Sequence, residues 1–344
     1  MTTITTKAPC KVIITGEHGV VHGTPALAMA IEPFNTITLT TEASDLPCII
    51  LKIKGKQVTL NETGEVVAGS VDWMVYIELV KHFIQSGVLQ VKEKITIEVE
   101  SNVPKGVGAS SSIAIATAMA IFKYAKKPLT KGDLFDAGQF VDKIAHGGSP
   151  SGLDAMTVTV GSTKLIRSVE NNQLKWNFYP EKVTLPTGAE LIIIDTFKDG
   201  KRSGTGEMVK KIAASLNLLK SDGSVKPLTE FTEADKKKVE PFKIIFEKIE
   251  AQLKPNSDSM ELGKLMNENH ELLAKLGAST EGIEEARKIC LENGCLGAKL
   301  TGAGGEGGAV ITLVKKADAE KIIVKLKEKG FNAFEAKPTR GAAE

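Results

Sequence analysis

Glycine and small polar residues crowd hard against regular structure in three segments of this chain, residues 7–23, 103–114 and 299–309. Glycine accounts for 32 of the 344 residues, a little above the roughly 7 % of average usage. The excess matters because of where it falls. A backbone without Cβ lets N–H groups converge and lets another group approach the chain closely. Any fold for this sequence has to bring three such turns to the ends of its strands and helices.

In residues 103–114, Gly106 and Gly108 lead through Ser110, Ser111 and Ser112 into an alanine-rich run expected to be a buried helix over 112–124. The unpaired N–H donors and partial positive charge of a helix start suit the phosphates of a nucleotide. A turn with Ser110 or Ser111 capping the helix is the plainer reading. The Walker pattern is absent. Residues 299–309 contain Gly302-x-Gly304-x-x-Gly307 but run on into a β-rich stretch, 309–314. A dinucleotide fingerprint needs a helix there, so a glycine-rich hairpin is expected. Residues 7–23 carry charge that a turn does not need: Lys11 inside an apolar strand pattern over 11–15, then Glu17 and His18. A fourth stretch, 142–154, sets Asp142 and Asp154 on either side of a Gly/Ser/Pro loop. Capping and turn chemistry account for both acids. Together, however, the four stretches hold the parts that phosphoryl transfer requires: a phosphate cradle, a lysine, metal-ligand candidates and a base.

Apolar periodicity places strands over 36–42, 49–54 and 94–100 and helices over 71–84 and 130–145. A further strand is expected over 156–167, with Asp142 closing one helix and Asp154 opening that strand. Two prolines and a glycine within 179–188 mark a boundary, giving domains 1–183 and 184–344. The second half reads as helices over 207–220, 233–253, 260–276, 281–293 and 317–329, with strands at 190–195, 297–301, 309–314 and 332–336. Few strands and several helical crossovers in each half point to an α+β fold.

Lys plus Arg number 44 and Asp plus Glu 42, a net charge of +2, and aromatic residues are 5 %. That balance argues against a dedicated nucleic-acid binder. Cys10, Cys48, Cys290 and Cys295 are too scattered for a disulfide framework and read as reduced thiols. No apolar run reaches the roughly 18 residues of a membrane span, and the first residues lack a signal-peptide pattern. A cytoplasmic protein with no membrane partner is expected.

In their order and spacing the three glycine segments resemble the signatures of the GHMP small-molecule kinases. Within that family, Gly16-Glu-His-Gly-Val-Val-His-Gly23 and Ser149-Pro-Ser-Gly-Leu-Asp154 are similar to the members that phosphorylate mevalonate; galactokinases typically read Gly-Glu-His-Thr-Asp at the first place. The resemblance implies a two-domain α+β kinase, ribosomal-S5-like in its N-terminal domain and ferredoxin-like in its C-terminal domain, with ATP and mevalonate in the cleft between them. It implies that Asp154 is the base for the C5 hydroxyl and that Lys11 orients it and offsets phosphoryl charge. Lys105, Gly106, Gly108, Ser110, Ser111 and Ser112 would hold ATP, with Gly302, Ala303 and Gly304 supporting. Ser112 and Asp142 would bind Mg²⁺, and Glu17, His18 and Thr205 would line the mevalonate side. The expected assembly is a monomer or homodimer.

At three places the chain departs from the family pattern. Glu306 replaces a glycine and is expected to point away from the nucleotide. Ala109-Ser110 replaces Leu-Gly, which shifts the metal-facing serine by up to one position. Asp142 replaces a glutamate, so water would bridge it to the ion. The alternatives are another kinase of the family, acting on phosphomevalonate or homoserine, and a non-catalytic nucleotide sensor. The motif segments show only Lys7, Lys105 and Lys143 besides Lys11, which weighs against a phosphorylated acceptor.

Overall fold

A computed structural model describes residues 1–69, 73–101, 103, 107–145, 150–199 and 202–343. In the first half the strands are β1 (Thr3–Thr15), β2 (Ala26–Glu42), β3 (Cys48–Ile53), β4 (Lys56–Leu60), β5 (Val66–Gly69), β6 (Lys94–Glu100), β7 (Thr163–Glu170) and β8 (Gln173–Pro180). Four helices interrupt them: α1 (Met74–Gln85), α2 (Ala109–Tyr124), α3 (Lys131–Ala145) and α4 (Leu153–Val160). The second half holds β9 (Ala189–Asp195), α5 (Thr205–Ser215), α6 (Glu233–Gln252), α7 (Ser259–Lys275), α8 (Glu281–Glu292), β10 (Gly297–Thr301), β11 (Ala309–Lys315), α9 (Ala319–Glu328) and β12 (Asn332–Glu335).

The first eight strands form one sheet in the order β5-β4-β3-β6-β2-β7-β8, with β1 paired to β2. Its pairs are antiparallel except β3 with β6. Helix α2 packs on β1 and β2 and against α3 and α4. Its alanines and isoleucines are buried on nearly every side; small side chains let four neighbours approach one helix. Strands β9 to β12 form a second, wholly antiparallel sheet in the order β10-β11-β9-β12. With the first of these strands third in the row, flanked by the third and fourth, that is the ferredoxin-like arrangement.

Two expectations about local structure are corrected. Residues 153–160 are helix α4, and the strand β7 begins only at Thr163. Thr157, Val158, Thr159 and Val160 read as β-branched strand residues, yet helices and strands surround this segment, so it shows no helical stripe. Asp154 therefore sits in the first turn of a helix. Strands are also more numerous than expected. Twelve occur among the described residues, because β4 and β5 are short and polar and β1 and β2 extend well before their periodic parts.

The change of sheet falls between Pro180 and Ala189, but the two halves are sewn together. One apolar cluster joins Val12, Ile14, Leu27 and Met29 of the first sheet to Ile193 and Ile311 of the second and to Phe246 and Leu265 of α6 and α7. The last residues return to the first half: Thr339 N–H donates to the Ala30 carbonyl at 3.0 Å and Ala342 N–H to Val158 at 2.8 Å.

Candidate active site

Between the sheets lies a cleft of about 1250 Å³ walled by residues of both halves. Single small ligands usually fill ~300–1,000 Å³, so two reactants fit here. The N-terminal wall begins with Lys11 on β1. Its backbone N–H donates to the Val107 carbonyl at 3.0 Å, and its Nζ lies 3.1 Å from Asp154 Oδ2. The lysine is almost wholly buried, whereas the aspartate side chain keeps 22 % exposure toward the cleft. Gly108, the N-cap of α2, has φ +74°, and a Cβ there would stand 2.8 Å from Lys11 Cγ. Glycine at that position lets the lysine stem cross the helix start.

Asp142, in the last turn of α3, is buried and accepts from Ser110 Oγ at 2.9 Å and Ser111 Oγ at 2.5 Å. Ser110 and Asp142 reach the cleft. Ser112 does not: its hydroxyl donates to the Ala8 carbonyl at 2.9 Å and is fully enclosed. The structure therefore does not bring the expected metal-facing Ser112 to the cleft beside Asp142, since a residue two places on from Ser110 points to the other side of α2. Lys105 and Gly106 lie outside the described residues.

From the C-terminal wall comes the β10–β11 hairpin, where Gly302, Ala303 and Gly304 reach the cleft. Thr301 Oγ accepts from Ile13 N–H at 3.0 Å and donates to the Ile13 carbonyl at 2.9 Å, tying the hairpin to β1. His18 Nε2 meets the Ala303 carbonyl at 2.9 Å; the carbonyl can only accept, so that nitrogen carries the proton. Burial pulls the His18 imidazole down to about 4, so it is neutral near pH 7. Glu17 is fully buried and pairs with Lys299 of β10. Arg202 clasps the hairpin: its Nη2 donates to both Asp195 carboxylate oxygens at 2.7 and 2.8 Å and its Nη1 donates to the Gly307 carbonyl. Gly307 has φ +66°, and a Cβ there would press on Arg202 Cγ at 2.9 Å. Thr205, at the start of α5, also lines the cleft. Glu306 is exposed at the rim, and its backbone exchanges two hydrogen bonds of 3.0 Å with Ser203.

Sequence reasoning missed Arg167. This β7 residue lines the cleft, donates to the Val21 carbonyl at 3.2 Å, stacks 6.0 Å from the Trp176 ring and has a buried Nε with no partner. Burial lowers its guanidinium to about 10, still fully cationic at neutral pH. Nothing in its local sequence marked it, because an arginine in an alternating strand usually faces water. Also missed was an apolar lobe of Ile53, Trp73, Val75 and Tyr76, drawn to the cleft from β3 and α1. The Trp73 Nε1–H is buried there without a partner.

A cleft of this kind, with a lysine–carboxylate pair and glycine turns on both walls, defines a phosphotransferase acting on small molecules. Residues 75–162 match the model of the GHMP kinases N-terminal domain and residues 246–332 that of the GHMP kinases C-terminal domain. The chain belongs to the GHMP kinase family, whose phosphate donor is ATP. A mevalonate kinase of Aeropyrum pernix is 31 % identical over 96 % of this chain and 94 % of its own length. One from Methanocaldococcus jannaschii is 29 % identical over 95 % and 97 %. The crystal structure of a Methanococcus jannaschii mevalonate kinase superposes with a TM-score of 0.76 at 26 % identity, covering 98 % of this chain and 99 % of that one. Lactococcus lactis galactokinase, solved with galactose, reaches 0.72 at 16 % identity over 98 % and 94 %; at that distance the likeness speaks for the fold alone. Among the described residues no helix is long and apolar enough to cross a membrane.

Proposed function

We propose that this chain is a mevalonate kinase, transferring the γ-phosphoryl group of ATP to the C5 hydroxyl of mevalonate to give 5-phosphomevalonate and ADP, a step of isoprenoid precursor synthesis. The observation that carries the reading is the 3.1 Å contact of Lys11 with Asp154 at the cleft wall, between two residues that only the fold brings together. Asp154 takes the hydroxyl proton, and Lys11 holds that carboxylate in place and offsets charge on the phosphoryl oxygens. Such a reaction asks little covalent chemistry of the protein, so positioning and electrostatics supply most of the rate.

The start of α2 offers N–H donors to the nucleotide phosphates. The Ile53–Trp73–Tyr76 lobe offers the base an apolar face and one free indole N–H. The buried Asp142 carboxylate and the Ser110 hydroxyl beside it are hard oxygen donors of the kind Mg²⁺ takes, and they would hold it. When bound, the ion neutralises phosphate charge. On the acceptor side, Arg202 and Lys226 each already face a carboxylate, Asp195 and Asp235. Arg167 faces a carbonyl and keeps an unpartnered Nε, which suits the carboxylate of mevalonate. Coupled ADP release with mevalonate, phosphomevalonate, galactose and homoserine, each with Mg²⁺ and with chelator, tests the proposal. Release with mevalonate that stops under chelation is expected; release only with another acceptor, or with none, overturns it.

A further inference from the structure

The cleft has two ends, and the strand order sets them on opposite sides of the reacting centre. Lys11 stands on β1, which pairs with β2, and β2 lies between β6 and β7 in the first sheet. The apolar lobe of Ile53, Trp73 and Tyr76 comes from β3 and the start of α1, on the β6 side. The opposite end is built on β7 and β8, where Arg167, Leu174 and Trp176 line the space. With the nucleotide base in the first lobe and Lys11 and Asp154 at the centre, the acceptor is left with the β7–β8 end.

That end is roofed from the second half. Residues 224–229, a stretch distinct from the glycine hairpin, also line the cleft, and the short turn Leu228–Glu230 packs on β7 and β8. Three attachments hold the roof down. Lys226 N–H donates to the Leu218 carbonyl at 2.8 Å, and its Nζ pairs at 2.6 Å with Asp235, the buried acid of the α6 capping box. Phe231, just past the turn, stacks on His22 of the first half with ring centroids 6.2 Å apart. Leu228 lies against Gly23, whose φ is +87°; a Cβ there would stand 3.1 Å from Leu228 Cδ2 and 3.6 Å from the Arg167 carbonyl oxygen. The missing side chain of Gly23 thus lets the leucine down onto the backbone that carries Arg167. The guanidinium of that arginine ends at the Val21 carbonyl, two residues before Gly23.

Leu228 is half-buried and faces a space that also holds Val21 and Trp176. A cation set among apolar side chains matches an acceptor with a carboxylate and an apolar branch close to it. Mevalonate is such a molecule, since its C3, two bonds from the carboxyl carbon, carries a methyl group. We propose that Leu228 sets the size limit of the acceptor: its side chain packs on the branch beside the carboxylate held by Arg167, so the methyl group of mevalonate fits and a larger group is refused. The proposal rests on the kinase reading above and adds a specificity-determining contact to it. A roof pinned at three places yields little to a larger branch. Refusal by an apolar pocket is worth about 10- to 200-fold for one methylene, and that range sets what the experiment reads.

The test measures kcat/KM of wild type, Leu228→Ala and Leu228→Phe for mevalonate and for its homologue with ethyl in place of methyl at C3. Wild type should prefer mevalonate by about 10-fold or more. Leu228→Ala should lower that preference about 10-fold, while KM for ATP moves less than about twofold. Leu228→Phe should widen the preference, because it takes up more of the room. A loss of stability alone would scale both acceptors equally and leave their ratio where it was. Equal use of the two acceptors by wild type, a ratio within about twofold of wild type in the variants, or an effect carried by ATP overturns the proposal and leaves the kinase reading standing. Turnover of neither acceptor by wild type overturns the kinase reading, and this inference with it. If Leu228→Phe fails to fold, Leu228→Ala decides alone, since it only removes atoms from a half-buried place.

Discussion

The two walls of the cleft do different jobs. The N-terminal wall presents charged side chains from rigid elements: Lys11 from β1, Asp142 from α3, Asp154 from α4 and Arg167 from β7. The C-terminal wall presents mostly backbone, a glycine hairpin clasped from behind by Arg202 and tied to β1 through Thr301. Groups that exchange protons or meet charge need fixed orientation, and regular structure supplies it. A wall that only has to lie close to a ligand is better made of glycine, with its stiffness supplied by the residues behind it. Changes on the first wall should therefore act on chemistry or on one substrate, and changes on the second should act weakly on both.

The largest effect should come from Asp154→Asn, with turnover falling about 10²- to 10⁴-fold as expected for loss of a general base, and with earlier melting because the almost wholly buried Lys11 loses its counter-charge. Turnover close to normal in the ADP-release assay would remove Asp154 from the role of base. Arg167→Met should come next. A hydrogen bond to a charged group is worth about 1.5–3 kcal/mol, so KM for mevalonate should rise about 10- to 100-fold while kcat changes little. An effect confined to ATP would move Arg167 to the nucleotide side and break the division between the lobes.

On the opposite wall, Arg202→Lys keeps the charge but loses the planar fork that holds Asp195 and the Gly307 carbonyl at once. A loss of about fivefold in kcat/KM, near 1 kcal/mol, shared between both substrates, is expected. A loss as large as that of Asp154→Asn would mean that the hairpin side carries chemistry too.

The smallest effect at neutral pH concerns the buried imidazoles near the junction. Burial holds His18 and His22 at about 4, against an ordinary value of 6.5. The unfolded chain takes up their protons first as pH falls, so their share of stability is complete above about pH 6.5 and is lost progressively toward pH 4. The melting temperature should drop across that interval. His22→Leu should flatten the drop relative to wild type, and identical profiles for the two proteins would count against a neutral, buried His22.

Much of this architecture is legible in the sequence. Strand β6 and helices α1 and α3 follow from apolar spacing, and the three glycine segments do turn toward one cleft, apart from Lys105 and Gly106, which lie outside the described residues. Helix α4 was not legible, because a helix enclosed on most sides shows no apolar stripe and its β-branched residues imitate a strand. Ser112 was the expected metal-facing serine, open by one position; the rotation of α2 sets Ser110 and Ser111 against Asp142 and turns Ser112 toward Ala8. Arg167 left no signal at all.

By itself the sequence determined the local chemistry: where backbone has to turn sharply, where a helix starts on donors free of side-chain bulk, and which acids and lysines stand near those turns. Only the tertiary structure decided which of these meet. Lys11 reaches Asp154 across Gly108, Glu17 finds Lys299 in the other half, and Arg167 keeps a nitrogen unpaired beside the cleft. Spacing along a chain constrains contacts within a turn or a hairpin. Contacts between distant segments depend instead on how whole sheets and helices pack, and that information is spread over every buried side chain.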